Sequence, residues 1–130
     1  MKWSAVQTLI KNDFSEFSDL GKNKCAFEAL DSTARRGQVV VLEKVSYLNA
    51  EFLMISSPFA KEAIVNGKEV ITSKTYQAQP FGLDFSNGYW QLKTSLICEG
   101  LTKNDLLAAI NSLAETADKF EVKFGAAGGL

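Results

Sequence analysis

Asn87-Gly88 divides the stretch from Phe81 to Cys98 into two runs of alternating apolar and polar side chains. A type I′ turn needs φ > 0 at both central residues, and Asn-Gly adopts it most readily, so the stretch predicts a hairpin with a two-residue loop. A loop of that length fixes one register, in which Phe85 faces Trp90, Leu83 faces Leu92 and Phe81 faces Thr94. Those residues line one side, and Asp84, Tyr89, Gln91, Lys93 and Ser95 line the other. One face is core and the other mostly wet.

At 130 residues the chain is long enough to bury roughly two thirds of its unfolded surface as one domain, without disulfide staples. Hydrophobic residues at 46 % and charged ones at 22 % exclude the disordered class. No run approaches the ~18 apolar residues of a membrane span. A net charge of −1 gives no general attraction to nucleic acid or anionic lipid, so neither is an expected partner. The start, MKWSAVQTLIKNDF, lacks the apolar core and small-residue cleavage site of a secretory signal, and the expected location is cytoplasmic. Cys25 and Cys98 form no CxxC pair and read as buried thiols acting as small hydrophobes.

In chain order, Trp3, Val6, Leu9, Ile10, Phe14, Phe17 and Leu20 recur at threes and fours, which predicts a first helix from Trp3 to Leu20 closed by Gly21. Asp13, Glu16 and Asp19 would flank it as a solvated acidic face. Strands follow at Cys25–Leu30, Gln38–Leu48 and Glu51–Ser56, a meander stopped by Pro58. The apolar run Val39 to Leu42 fills both faces and predicts a central strand covered on both sides along part of its length. From Phe59 to Ala78 two readings stand: a helical turn after Pro58, or the favoured hairpin about Asn66-Gly67. After Cys98, Thr102 is placed as an N-cap with Asp105 at N3 and Leu101 stapling Leu106. A closing helix should then run to about Phe124.

The expected fold is α+β: an antiparallel sheet of about five strands packed with an N-terminal and a C-terminal helix, one domain over residues 1–124. Residues 125–130 form a flexible glycine-rich tail with no helix after it to hold a phosphate.

Histidine is absent, which removes the usual general base near neutral pH, the Ser-His and Cys-His pairs and histidine-rich metal sites. Neither cysteine has a designated base, Ser56-Ser57 has no nucleophile elbow, and Asp84 with Glu99 can act as acid and base only if the fold joins them. Lys22, Lys24, Arg35 and Arg36 are the one basic concentration and read as solubility charges. No catalytic residue, cofactor or metal is assigned.

The run Asn87-Gly88-Tyr89-Trp90-Gln91-Leu92-Lys93-Thr94-Ser95-Leu96, then Glu99-Gly100-Leu101-Thr102 and a leucine/alanine helix ending Ala117-Asp118-Lys119-Phe120-Glu121, resembles the type III secretion chaperone-like fold. It looks most like the YbjN-type, sensory transduction regulator-like branch. The resemblance covers about 40 residues well and the first helix and meander loosely. It implies a helix, three strands, a middle helix, two strands and a final helix, as a homodimer that holds partner segments. The middle, with Asn66-Gly67 and Val70-Ile71-Thr72, departs from that pattern.

The expected function is therefore a non-catalytic protein-binding module, chaperone-like or a regulatory adaptor, offering sheet face or strand edge to a protein segment as a homodimer. The alternative is a small-ligand domain or histidine-free enzyme with a pocket between sheet and closing helix. Tyr76, Asp84, Tyr89 and Lys93 are the candidate partner or ligand contacts, with Glu99 joining them in the alternative.

Overall fold

A computed structural model describes residues 1–31 and 36–125, with the side chains of residues 31 and 36 left aside. Of the expected tail at 125–130 only Gly125 is described, as the C-cap of α4 with its N–H on the Glu121 carbonyl; residues 126–130, and Arg35, lie outside those residues.

The chain runs α1 (Trp3–Asp13), β1 (Ser15–Gly21), β2 (Lys24–Asp31), β3 (Arg36–Tyr47), β4 (Ala50–Lys61), α2 (Gly67–Ile71), α3 (Lys74–Gln77), β5 (Gly82–Ser86), β6 (Tyr89–Ile97) and α4 (Lys103–Phe124). All neighbouring strands pair antiparallel in one six-stranded sheet of order β1-β2-β3-β4-β6-β5. The fold is α+β, as the sequence predicts, with one strand more than expected.

The second hairpin forms as read. Asn87 and Gly88 take φ of 54° and 83°, Leu83 pairs with Leu92 and Phe85 with Trp90. Phe81 precedes the strand and packs against the core from the loop. Alternation sends Leu92 inward beneath α4, together with Leu42 and Leu53, and all three are fully buried. α4 answers with Leu106, Ile110, Leu113, Ala117 and Phe120 on one stripe. Its start is fixed as expected, with Thr102 Oγ1 accepting the Asp105 N–H at 3.1 Å.

The first helix is shorter than its periodicity suggests. α1 ends at Asp13, and Phe14 is already extended at φ −131°, ψ 172°. Within β1, Ser15 pairs with Glu28 and Ser18 with Ala26, so β1 carries one extra residue there, with Glu16 at φ 55°. A one-residue bulge puts side chains three apart on the same face. Phe14, just before β1, and Phe17 within it thus imitate a helical stripe on extended backbone, and Phe14 packs on Phe27 at 4.8 Å between ring centroids. Asp13, Glu16 and Asp19 accordingly share no helix flank. Asp13 sits 3.8 Å from Lys103, and Asp19 accepts the Gly21 N–H.

Pro58 does not end the strand either. Regular β3–β4 pairing stops at Val41–Ser56, but β4 continues to Lys61 against β6 with a register shift between Pro58 and Ala60. Pro58 has no N–H to give a ladder. Side chains replace the missing bonds: Gln38 Nε2 donates to the Pro58 carbonyl at 2.7 Å, and the buried Ser57 hydroxyl donates to the Val39 carbonyl. Phe59 keeps the inward phase of Leu53, Ile55 and Ser57, edge-on to Phe120 at 5.3 Å, and the shift buries Ala60 beside it.

The middle segment is helical, against the favoured hairpin. Asn66 has φ −85° and caps α2, its side chain accepting the Lys68 N–H, rather than adopting the positive φ of a type I′ turn. Ser73 caps α3 in the same way through the Tyr76 N–H.

Candidate functional site

Both long helices lie on one side of the sheet, so the other side is open. Alternation carries Val39, Val41, Glu43, Val45 and Tyr47 of β3 to that open face, with Phe52, Met54, Ser56 and Pro58 of β4 beside them. Lys93, Ser95 and Ile97 of β6 continue it on one flank, and Lys24 and Glu28 of β2 on the other. The expectation that β3 is covered on both faces is therefore corrected. Val40 and Leu42 are fully buried, but Val39 is 45 % exposed, as are Tyr47 at 65 % and Ile97 at 54 %.

The open face is hollowed. A depression of about 330 Å³ runs from Lys24 on β2 to Asp84 on β5, lined between them by Val41, Glu43, Met54 and Ser56. A second, of about 270 Å³, is lined by Val45, Tyr47, Phe52, Met54 and Ser95. The centre of the sheet is thus mostly apolar, interrupted by the exposed Glu43 between Val41 and Val45, and its two flanks are charged. On the β5 flank, Asp84 Oδ2 accepts from Gln91 Nε2 at 3.0 Å and lies 3.7 Å from Lys93 Nζ. An exposed pair of this kind contributes about 0–1 kcal/mol to stability.

Of the four expected contact residues, the structure brings Asp84, Tyr89 and Lys93 to this face. Tyr76 stands apart. It lies on α3, partly buried against the core on the helix side. Glu99 lies in the turn after β6, and the six residues of strand from Gln91, the partner of Asp84, to Ile97 set it about 20 Å away. They form no acid and base pair. The space between sheet and α4, where a ligand pocket would belong in the alternative reading, is occupied by Leu42, Leu53, Ile55, Leu92, Ile110 and Leu113, each fully buried.

The thiols are free and lie on the buried side of the sheet. Burial, with a smaller push from Asp19, raises Cys25 to about 11, Lys11 opposing. Cys98 is likewise raised by burial, offset in part by the N-terminal ammonium. Both are protonated at neutral pH and neither is a nucleophile there.

The sequence reading missed the apolar character of the open face. Its signal was present: Val39 and Val41 are apolar in the opposite phase to Val40 and Leu42, and Phe52 and Met54 in the opposite phase to Leu53 and Ile55. What the face can do is hold another surface by apolar contact, with polar groups at its margins. Among the described residues no helix is long and apolar enough to cross a membrane. Compared with models of known protein families and with curated protein sequences, the chain matches none.

Proposed function

We propose that this chain is a non-catalytic protein-binding module, chaperone-like or adaptor-like, that works as a homodimer closed through the open sheet face. The observation that carries it is the apolar band of Val41, Val45, Phe52 and Met54, half-buried, with Val39, Tyr47 and Ile97 exposed around it. Apolar surface grouped this way on a small chain, here around the exposed Glu43, marks an interaction site.

Area favours a second copy as its cover. β3 and β4 are each 12 residues long. β2 adds 8 residues and β6 adds 9, so at ~3.3 Å per residue and ~4.8 Å between strands the four cover about 650 Å², somewhat under the ~800 Å² that each partner gives to a standard interface. A face pressed on its own copy meets the same apolar centre. The element order supports the chaperone-like reading, since α2 and α3 stand where the resemblance implies a middle helix, while β1 is an added strand.

Sedimentation or light scattering should give a dimer at micromolar concentration. Met54→Lys, which places a charge at the centre of the band, should give a monomer with unchanged far-UV circular dichroism. A wild-type chain that stays monomeric at about 100 μM would sink the proposal.

A further inference from the structure

The two edges of the sheet are built differently. β1 is broken by register shifts at Ser15–Ser18 and Asp19–Gly21, its Glu16 takes φ 55°, and the Asp19 side chain folds back on the Gly21 N–H. Bulges and charges of this kind blunt an edge against added strands. β5 carries no bulge, and what guards it is its five-residue length and the charge of Asp84. Its register with β6 is unbroken from Gly82 to Ser86, and β6 is the one element it packs against extensively.

The turn shows which backbone groups β5 leaves free. A two-residue loop makes Ser86 and Tyr89 a hydrogen-bonded pair, and such pairs alternate along an antiparallel ladder. Ser86, Asp84 and Gly82 therefore bond to β6. The N–H and C=O of Leu83 and Phe85 point away from the sheet, and among the described residues no turn or loop backbone bond reaches them. Phe85, packed at a tilt on Trp90 at 5.1 Å between ring centroids, stays 41 % exposed at this rim.

A second copy does not fit this edge. Pairing the whole of β5 with its two-fold mate centres the register on Asp84. Two carboxylates would then oppose each other in the close, non-hydrogen-bonded position, about 4.5 Å between Cα atoms. Every other symmetric register overlaps three residues of the five or fewer. A strand with a cation opposite Asp84 avoids the paired carboxylates and shares this one with Lys93 of β6. The Asp84 side chain is 36 % exposed, and its contacts with Gln91 and Lys93 both fall on Oδ2.

We infer that β5 is an acceptor edge for an extended partner segment of pattern apolar–basic–apolar. Its backbone bonds to Leu83 and Phe85, its apolar residues cover those two side chains, and its lysine or arginine faces Asp84. This rests on reading the chain as a protein-binding module, and the edge stays free when the open faces close on one another.

The test is titration of the ¹⁵N-labelled full chain with a capped nonapeptide centred on valine-lysine-valine and flanked by threonine and serine. Saturable shifts and slowed hydrogen exchange at the Leu83 and Phe85 amides are expected. A glutamate-centred peptide should bind about fivefold more weakly, from the like-charge opposition. Asp84→Lys should reverse that order, and Asp84→Asn, a milder change that keeps the hairpin, should abolish it. No saturable change at Leu83 and Phe85, shifts confined to the open face, or an order unaffected by Asp84→Asn would each overturn the inference. A dimer that takes no peptide loses this inference and keeps the dimeric module. A monomer that still protects Leu83 and Phe85 loses the dimer and keeps the edge.

Discussion

Trp90 lies so close over Gly67 that a Cβ built on the glycine would stand 2.6 Å from the indole ring. The same indole donates its Nε1–H to the Val65 carbonyl at 3.1 Å. One side chain of β6 thus clamps the entry to α2 at two points. That is why Asn66-Gly67 begins a helix and does not turn a hairpin. The glycine is required for close approach, not for positive φ.

Gly67→Ala should therefore destabilise, although alanine is the better helix former by about 1 kcal/mol. Displacing the ring from a packed site costs about 1–3 kcal/mol and decides the sign. Trp90→Phe removes the ring atoms nearest Gly67, so alanine at 67 should be neutral or favourable in that background. Urea unfolding of the four proteins in a double-mutant cycle measures the coupling, and strict additivity would refute the clamp.

The side-chain bridge over Pro58 gives a second expectation. Ser57→Ala leaves the Val39 carbonyl without its hydroxyl donor and removes an acceptor that lies 3.2 Å from Gln38 Nε2. Because Ser57 and Gln38 are both buried, the loss should be about 1–3 kcal/mol in chemical denaturation, far more than a surface serine would cost. An effect below about 0.5 kcal/mol, the scale of surface changes, would show the bridge to be incidental.

Alkaline pH should weaken the fold through Cys25. Its thiol is raised to about 11 from the model-compound value of 9.0, chiefly by burial. Below about pH 8 the thiol is protonated in both folded and unfolded chains and stability is independent of it. As pH rises past 9 the unfolded chain loses its proton first, so stability falls until the folded thiol titrates near 11. The shift corresponds to about 2–3 kcal/mol. Cys25→Ala should flatten the decline in urea midpoint between about pH 8 and 10.5, and equal slopes in variant and wild type would contradict the assignment.

At the start of α4, Thr102→Ala should cost about 1 kcal/mol by leaving the Asp105 N–H uncapped. Thr102→Asp should restore it, since a carboxylate both accepts that bond and suits the positive helix end. Thermal melts of the two variants separate capping from a mere change of size.

Local chemistry was legible wherever one short-range cause acted alone. The positive-φ pair at Asn87-Gly88 fixed the hairpin register, and Thr102 fixed the start of α4. The reading failed where a distant residue intervened. The bulge at Glu16 let Phe14 and Phe17 copy a helical spacing, and the hydroxyl of Ser57 with the amide of Gln38 carried β4 past a proline. Of the candidate contacts, Asp84, Tyr89 and Lys93 share a face because strand alternation is a local property, whereas the place of Tyr76 depends on how α3 packs.

By itself, the order of residues determined the α+β class, the second hairpin and the closing helix, because turn chemistry and side-chain periodicity act within a few residues. Tertiary structure alone decided that both long helices lie on one side, leaving Val39, Phe52 and Met54 uncovered and β5 at a sheet edge. The physical reason is that alternation tells which side chains share a face, while which face another element covers depends on contacts between segments far apart in the chain.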